Sequence, residues 1–188
     1  MPGSAGVPPA PGTFSSGISI DGGRDARAPR VRGNFRMQRT TNNEPRTKSS
    51  HRLIEKVRKR GARVAKLVGF EMDDVADGRA VGHLDAGPQH ANPMGTLHGG
   101  ILCDLADAAM GMAFASTLDG DHSFTTLELR INFLRPFWTG RLHAEAEVVS
   151  RGKTVGLVEC SVTDERKRMI AKASSTCLVL KGEQAAGR

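Results

Sequence analysis

The feature that most constrains this fold is an almost entirely apolar run at residues 98–118 that contains no proline. Ala, Leu and Met dominate the run, and these residues favour helix, so it predicts one α-helix about 30 Å long. Its few polar positions are Asp104, Asp107 and Ser116. Because a helix that is apolar on nearly every side must be covered on most of them, the rest of the domain has to wrap around it.

Four strand-like segments follow the helix and can supply this cover. Connections of three to six residues separate them, and they span residues 124–134, 141–150, 154–163 and 169–180. Short connections favour a meander of antiparallel neighbours. Two shorter strands are expected earlier, at 70–72 and 79–84, joined by a turn-rich segment at 73–78. The pattern predicts an α+β domain with a long central helix wrapped by a curled antiparallel β-sheet.

A basic helix is expected ahead of these strands. Ser49 or Ser50 can cap a helix that begins near His51. Apolar residues then recur at roughly helical spacing between positions 53 and 67, and Gly61 can interrupt the helix.

The net charge of +7 is unevenly distributed along the 188 residues. Residues 1–68 hold 15 Lys and Arg against 4 Asp and Glu, whereas residues 69–188 hold 12 against 16. The basic character that would invite a nucleic-acid function therefore belongs to the first third of the chain. The remainder has the balance of an ordinary, mildly acidic domain.

Residues 1–48 are rich in Pro, Gly, Ser, Thr, Asn and Arg, and their apolar residues have no period. We expect a disordered basic leader there. Met37 lies inside it, so an over-long gene start is one explanation, and an Arg-rich transit peptide is a less favoured one. The folded domain is expected to span residues 49–181, followed by a flexible tail at 182–188.

Cysteine usage and hydropathy exclude several classes of protein. Cys103, Cys160 and Cys177 are widely spaced and lie in apolar settings, which argues against a disulfide framework and against a Cys-rich metal site. No apolar run reaches the roughly 18 residues of a membrane span, and the chain does not open on a signal-peptide pattern. We therefore expect a reduced, cytoplasmic protein without a metal site.

Reactive and conformationally special residues are concentrated just before the long helix and in its first half. Glycines at a helix N-terminus leave the first N–H groups open to a ligand, and the helix dipole favours an oxygen that becomes negative during a reaction. A carboxylate on an apolar helix needs a partner or a role. The residues concerned are His90, Asn92, Gly95, His98, Gly99, Gly100, Asp104 and Asp107.

Periodicity alone does not choose between Asp104 and Asp107, and a tight helix entry with a surface histidine is the plainer interpretation of the cluster. No nucleophile elbow or phosphate-binding glycine loop occurs in the sequence. His90 and His98 are too isolated for a zinc motif.

The segment HANPMGTLHGG at residues 90–100, followed by Leu105-Ala106-Asp107, resembles the signature of the PaaI-type acyl-CoA thioesterases of the hotdog-fold superfamily. The similarity continues through TTLELRINFLRP at 125–136 and SRGKT at 150–154, and covers about residues 50–181. The resemblance implies the hotdog fold, in which a curled antiparallel sheet wraps a long helix. It also implies a hydrolase that converts an acyl- or aryl-CoA to the free acid and CoA.

The resemblance implies a role for each residue that matches the motif. Asp107 matches the acidic residue that acts on the thioester as general base or nucleophile. Asn92 matches the side chain that helps hold the attacking water or the thioester. Gly99 matches the backbone N–H that polarises the thioester carbonyl, and His98 the neighbour that orders the loop. Thr126 falls where relatives carry a hydroxyl that positions water.

The substrate and the assembly are also implied by the resemblance. Relatives bind the pantetheine and phosphates of CoA at the positions of Arg151, Gly152, Lys153 and Thr154. CoA is part of the substrate, so no separate cofactor is expected. Active sites in this family form between two subunits, which implies a homodimer and makes a homotetramer plausible. The acyl group is not indicated, since Met94, Met110, Met112 and Phe114 can line a pocket or pack in the core.

Two other functions remain open. The first is an acyl-CoA-sensing hotdog regulator whose basic segment at 24–66 binds DNA, although that segment lacks the helix pair of a helix-turn-helix. We expect its contact with nucleic acid to be weak and non-specific. The second is a hydratase or dehydratase with the same fold, which the placement of the HGG sequence at 98–100 favours less than hydrolysis.

Overall fold

The computed structural model describes residues 51–186. The predicted leader at 1–48, the proposed caps Ser49 and Ser50, and most of the segment on which the DNA-binding alternative depends lie outside these residues. Within them, no helix is long and apolar enough to cross a membrane.

Three α-helices and a six-stranded antiparallel sheet make up the described fold, with 3₁₀ turns at Pro88–His90 and Gly182–Ala185. The helices are α1 (Arg52–Arg60), α2 (Arg63–Val68) and α3 (Gly99–Ala115). The strands are β1 (Phe70–Ala76), β2 (Arg79–Ala86), β3 (Ser123–Phe133), β4 (Gly140–Arg151), β5 (Val155–Asp164) and β6 (Met169–Leu180).

Helix α3 is the predicted central helix, and it packs against all six strands. The side that faces the sheet is fully buried and includes Leu105, Ala109, Met110 and Phe114. The helix is shorter than predicted because Ser116 ends it. The Ser116 hydroxyl donates to the carbonyl of Ala113 at 2.7 Å and accepts the N–H of Gly78 at 2.7 Å.

The strand order β1-β2-β4-β5-β6-β3 corrects the predicted meander. Strand β3 pairs with β6 and not with β4, and β4 pairs with β2. Three strand spacings, about 14 Å, separate β3 from β4 in this order. The connection at residues 134–139 can cross that distance, because six extended residues reach about 20 Å. A short connection therefore did not require adjacent strands.

The N-terminal helical region also differs from the prediction. His51 is the N-cap of α1, and its Nδ1 accepts the N–H of Leu53 at 3.3 Å. Gly61 ends α1 with φ +65° as predicted, but a separate helix, α2, follows it. Ile54 is buried, whereas Leu67 is 86% exposed, so only part of the apolar pattern faces the core.

The limits of the first two strands were also predicted incorrectly. Strands β1 and β2 extend through most of the segment expected to be a turn, which is reduced to Asp77 and Gly78 with φ of 49° and 76°. Positive φ at both positions is the geometry of a tight hairpin. Beyond β6 the chain forms the turn Gly182–Ala185, in which Ala185 is buried. The predicted flexibility of residues 182–188 stays a prediction.

Candidate active site

The N-terminus of α3 presents a free backbone donor at Gly99. His98 is the N-cap, and its Nδ1 accepts the N–H of Gly100 at 2.9 Å. In the described part of the chain nothing accepts the N–H of Gly99, because the first residue of a helix has no preceding turn to bond to. A Cβ at Gly99 would lie 2.9 Å from the ring of Phe133. The absence of a side chain at Gly99 thus allows Phe133, at the end of strand β3, to pack closely against the start of helix α3.

Asn92 shapes the loop that leads into the helix. Its Oδ1 accepts the N–H groups of Met94 at 2.9 Å and Thr96 at 3.3 Å, and its Nδ2 donates to the Thr96 hydroxyl at 2.9 Å. Gly95 completes the turn with φ +81°. One amide hydrogen of Asn92 remains available, so its predicted contact with water or thioester stays a prediction.

His90 is a structural link rather than a reactive group. The residue is buried. Its Nδ1 accepts the N–H of Gly87 at 3.1 Å, so its Nε2 carries the proton and donates to the Val68 carbonyl at 2.8 Å. Both ring nitrogens are used, and they fasten the loop to the end of α2.

The two helix carboxylates have different surroundings. The Thr126 hydroxyl donates to Asp107 Oδ1 at 3.2 Å. Asp107 is accessible in the single chain, but its carboxyl group is partly buried. This partial burial raises the pKa of Asp107. The bond from Thr126 lowers it and the charge of Asp104 raises it again. Asp104 is exposed and has no hydrogen-bond or ion-pair partner among residues 51–186. Of the two carboxylates, only Asp107 has a hydroxyl partner among residues 51–186, and its catalytic role stays a prediction.

Thr126 is paired across the sheet with a buried thiol on β6, which has a neighbouring hydroxyl. Cys177 is its cross-strand partner on β6, and the Ser175 hydroxyl lies 3.6 Å from the Cys177 sulfur. Burial raises the pKa of the Cys177 thiol, and it raises the pKa of Cys160 to about 12. These two thiols are therefore protonated core residues, and Cys103 is half-buried.

Gly99 and Asp107 are well separated along the same helix. Both residues belong to the regular helix α3, and eight positions separate them. At 1.5 Å of rise per residue they lie about 12 Å apart along the axis. A nucleophilic water and an oxyanion donor must both lie within about 3 Å of the reacting group. Within one chain, this donor and this carboxylate therefore lie further apart along the helix than either lies from a group it would act on directly.

In the turn at residues 151–154, which was predicted to bind CoA, Arg151 makes contacts within the fold. The Arg151 guanidinium lies 5.0 Å from the centre of the Phe114 ring, and its Nε donates to the Thr117 hydroxyl at 3.1 Å. It also donates to the Gly152 carbonyl. Lys153 and Thr154 are exposed. Thr117 follows Asp107 by ten positions, about 15 Å along the helix direction, so this turn is remote from Asp107 of its own chain.

A cavity of about 1240 Å³ opens beside Asp107. Helices α1 and α2 and strand β1 form one wall, and α3 and β3 form the other. Of the four pocket candidates named from the sequence, only Met112 lines it. Met110 and Phe114 are core residues, and Met94 lies exposed on the loop. The helical wall from residues 53–66 was not foreseen, since nothing local in its basic sequence indicates what it faces.

Comparisons with known proteins identify relatives of this chain by sequence and by fold. The sequence family model of the thioesterase superfamily matches residues 94–171 of this chain. The chain is 31% identical over 116 residues to the 1,4-dihydroxy-2-naphthoyl-CoA hydrolase of Listeria monocytogenes, covering 62% of this chain and 94% of that protein. It is 31% identical over 108 residues to the acyl-coenzyme A thioesterase PaaI of Escherichia coli, covering 57% and 75%. The solved E. coli PaaI structure matches with a TM-score of 0.62 at 25% identity, covering 68% and 91%.

Proposed function

Because the chain belongs to the thioesterase superfamily of hotdog-fold hydrolases and acts on a thioester, we propose that its substrate is an acyl- or aryl-CoA, which it hydrolyses to the free acid and CoA. The observation that carries this proposal is the carboxylate of Asp107. It accepts a hydrogen bond from Thr126 and stands at the edge of a large cavity. The relatives named above for CoA thioesters support the choice of substrate.

In the proposed reaction Asp107 acts as a general base. It takes a proton from a water molecule, and the resulting hydroxide attacks the thioester carbonyl carbon. A raised pKa makes the carboxylate a stronger base for this step. The carbonyl oxygen becomes negative in the tetrahedral intermediate and is stabilised by the N–H of Gly99 and the helix dipole behind it. Collapse of the intermediate breaks the C–S bond, and CoA leaves as the thiolate. The proton held by Asp107 passes to the thiolate or to solvent, which restores the carboxylate.

The separation of Gly99 and Asp107 along α3 supports a homodimer as the unit that carries out this mechanism. Strand β3 is an edge strand in the described sheet, and its N–H and C=O groups on that edge are available for pairing. Leu127 and Phe133 on this strand are exposed in the single chain. We propose that two copies pair through β3, so that Gly99 of each copy faces Asp107 of the other.

The exposed part of the turn at residues 151–154 is the proposed contact for the phosphates of CoA. Lys153 supplies an exposed cation there, and Thr154 an exposed hydroxyl. Arg151 holds the turn against Phe114 and Thr117. Because the turn is remote from Asp107 of its own chain, it would serve the site that contains Asp107 of the partner.

Thiol release from a panel of acyl- and aryl-CoA esters tests this function. Asp107→Asn keeps the shape of the side chain and removes the base. We expect it to lower kcat by about two to four orders of magnitude, with the assembly intact by size-exclusion chromatography. Asp104→Asn is the matched control one turn away and is expected to retain turnover. Near-normal turnover by Asp107→Asn, or loss only in Asp104→Asn, would contradict the assignment.

A further inference from the structure

The cavity beside Asp107 continues along α3 toward the C-terminal end of the helix. Its helical floor consists of Ala108, Gly111, Met112 and Ala115, which follow Asp107 by one, four, five and eight positions. Positions with this spacing share one side of a helix, and the floor extends about 12 Å from the carboxylate. Phe124 of β3 lines the same cavity.

This floor is apolar, whereas the outer rim on α1 and α2 is basic. Lys56, Arg60, Arg63 and Lys66 belong to the rim. Apolar surface near the reacting carbon favours the acyl group of a thioester, since a charged CoA moiety would lose hydration there. Phosphates bound at the rim are the competing assignment, and the experiment below separates the two.

Gly111 is an unusual residue for this place. Glycine weakens a helix interior relative to alanine, and α3 is otherwise rich in alanine. A Cβ at Gly111 would lie 3.2 Å from Cζ of Phe124. The Phe124 ring is itself packed edge-on against Phe114, with 5.5 Å between ring centroids. A larger residue at position 111 would therefore occupy the floor one turn from Asp107 or push Phe124 into the cavity.

We propose that Gly111 is a specificity-determining residue, and that it keeps the cavity open for bulky apolar acyl groups, either medium to long chains or aromatic rings. This inference rests on the proposed hydrolysis of acyl-CoA. Each methylene buried in such a cavity is expected to raise kcat/KM about fourfold. The wild-type enzyme should therefore prefer octanoyl- or phenylacetyl-CoA to acetyl-CoA by a wide margin.

The test is the substrate profile of three variants of the full chain against acetyl-, butyryl-, octanoyl-, dodecanoyl- and phenylacetyl-CoA. Gly111→Val is expected to lower the ratio of kcat/KM for octanoyl-CoA to that for acetyl-CoA at least tenfold. A loss of about tenfold is the lower end of what a change of one methylene in an apolar pocket causes. Gly111→Ala keeps helix propensity favourable and should lower the ratio by a smaller factor, which covers the case in which Val disrupts folding. Gly120→Val is the control, because Gly120 lies in a turn with no atom within 4 Å of its Cβ position.

The outcomes separate this inference from the function on which it rests. Lack of hydrolysis of every CoA ester by the wild type would overturn the proposed function and the inference with it. Hydrolysis by the wild type, combined with an unchanged octanoyl-to-acetyl ratio in both Gly111 variants, would overturn the inference alone. If the Gly111 variants lost the same factor in kcat/KM for every acyl length, the inference would also be overturned. That result would favour binding of the CoA phosphates at the basic rim. A fall in the ratio that Gly120→Val does not share supports the proposal.

Discussion

The hydroxyl of Thr126 on the edge strand β3 donates a 3.2 Å hydrogen bond to the carboxylate of Asp107 on the central helix α3. The bond favours the charged form of Asp107, so it acts against the partial burial that raises the pKa of this group. It also fixes one carboxylate oxygen and leaves the other free to accept a proton from water. Thr126 therefore affects both the orientation and the basicity of the proposed base.

The pH profile is expected to report this balance. A general base works only when it is deprotonated, so kcat/KM should fall as the pH drops through the pKa of Asp107, above its ordinary value of 3.8. Thr126→Val removes the bond that lowers the pKa and should move this acid limb to higher pH. Asp104→Asn removes a neighbouring negative charge that raises the pKa and should move the limb to lower pH.

Thr126→Ser keeps the hydroxyl and serves as the control for the Val variant. The measurement is kcat/KM from about pH 3 to 9 for the wild type and the three variants. Shifts of the same sign in Thr126→Val and Asp104→Asn would contradict this account of Asp107.

The N–H of Gly99 can be removed without removing the helix. Proline is tolerated at the first position of a helix, and His98 has φ −65° and ψ 131°, which a following proline accepts. We expect Gly99→Pro to lower kcat about 10² to 10³-fold through the loss of one oxyanion donor. Gly99→Ala keeps the N–H but places a Cβ 2.9 Å from the Phe133 ring, so it measures the steric effect alone. An equal loss in the two variants would contradict the oxyanion role.

Mixed dimers test whether the site is shared between two chains. Asp107→Asn and Gly99→Pro each inactivate both sites of a homodimer. When the two variants are unfolded, mixed and refolded together, half of the dimers are expected to be mixed, and each mixed dimer has one site with an intact donor and base. The activity should therefore recover to about a quarter of that of the wild type. No recovery, despite formation of mixed dimers detected by mass spectrometry, would contradict the shared site.

Lys153 is expected to contribute to CoA binding and not to chemistry. Lys153→Ala should raise KM for acyl-CoA several-fold and leave kcat nearly unchanged, because it removes one phosphate contact. The same acyl group on N-acetylcysteamine lacks the phosphates, and its kinetics should be the same for the variant and the wild type. Lys167→Ala, at an exposed turn between β5 and β6, is the control for loss of a surface cation. An equal effect on both thioesters would exclude a phosphate contact.

Gly156 is expected to be required for the packing of the central helix. A Cβ at this position of β5 would lie 2.5 Å from the Phe114 ring and 2.9 Å from the Ser150 carbonyl. Backbone and a buried ring have little room to move, so Gly156→Ala should lower the free energy of unfolding by about 1–3 kcal/mol. Urea denaturation at equal protein concentration measures this, with Gly120→Ala as the control. Unchanged stability would mean that the Phe114 ring relocates at little cost.

The sequence predicted most of the secondary structure because its signals are local. The central helix follows from a run of Ala, Leu and Met, and strand β6 was predicted with the limits that the structure has, Met169–Leu180. The boundaries that failed also have local causes. The imidazole of His51 caps α1 in place of a serine, and the acidic residues of β1 were taken for part of a turn. Gly61 indicated the end of one helix but not the start of another.

What the sequence alone determined is the set of groups and their spacing along the chain. Gly99 and Asp107 are eight positions apart on one helix, and this fixes both groups and their separation along the helix axis. Only the tertiary structure decided that β3 lies beside β6, that Asp107 and not Asp104 has a hydroxyl partner, and that a cavity begins at this carboxylate. The physical reason is that helix propensity and periodicity depend on neighbouring residues. Strand pairing and pKa depend on groups brought together through space, as in the bond between Asp107 and Thr126, 19 positions further along the chain.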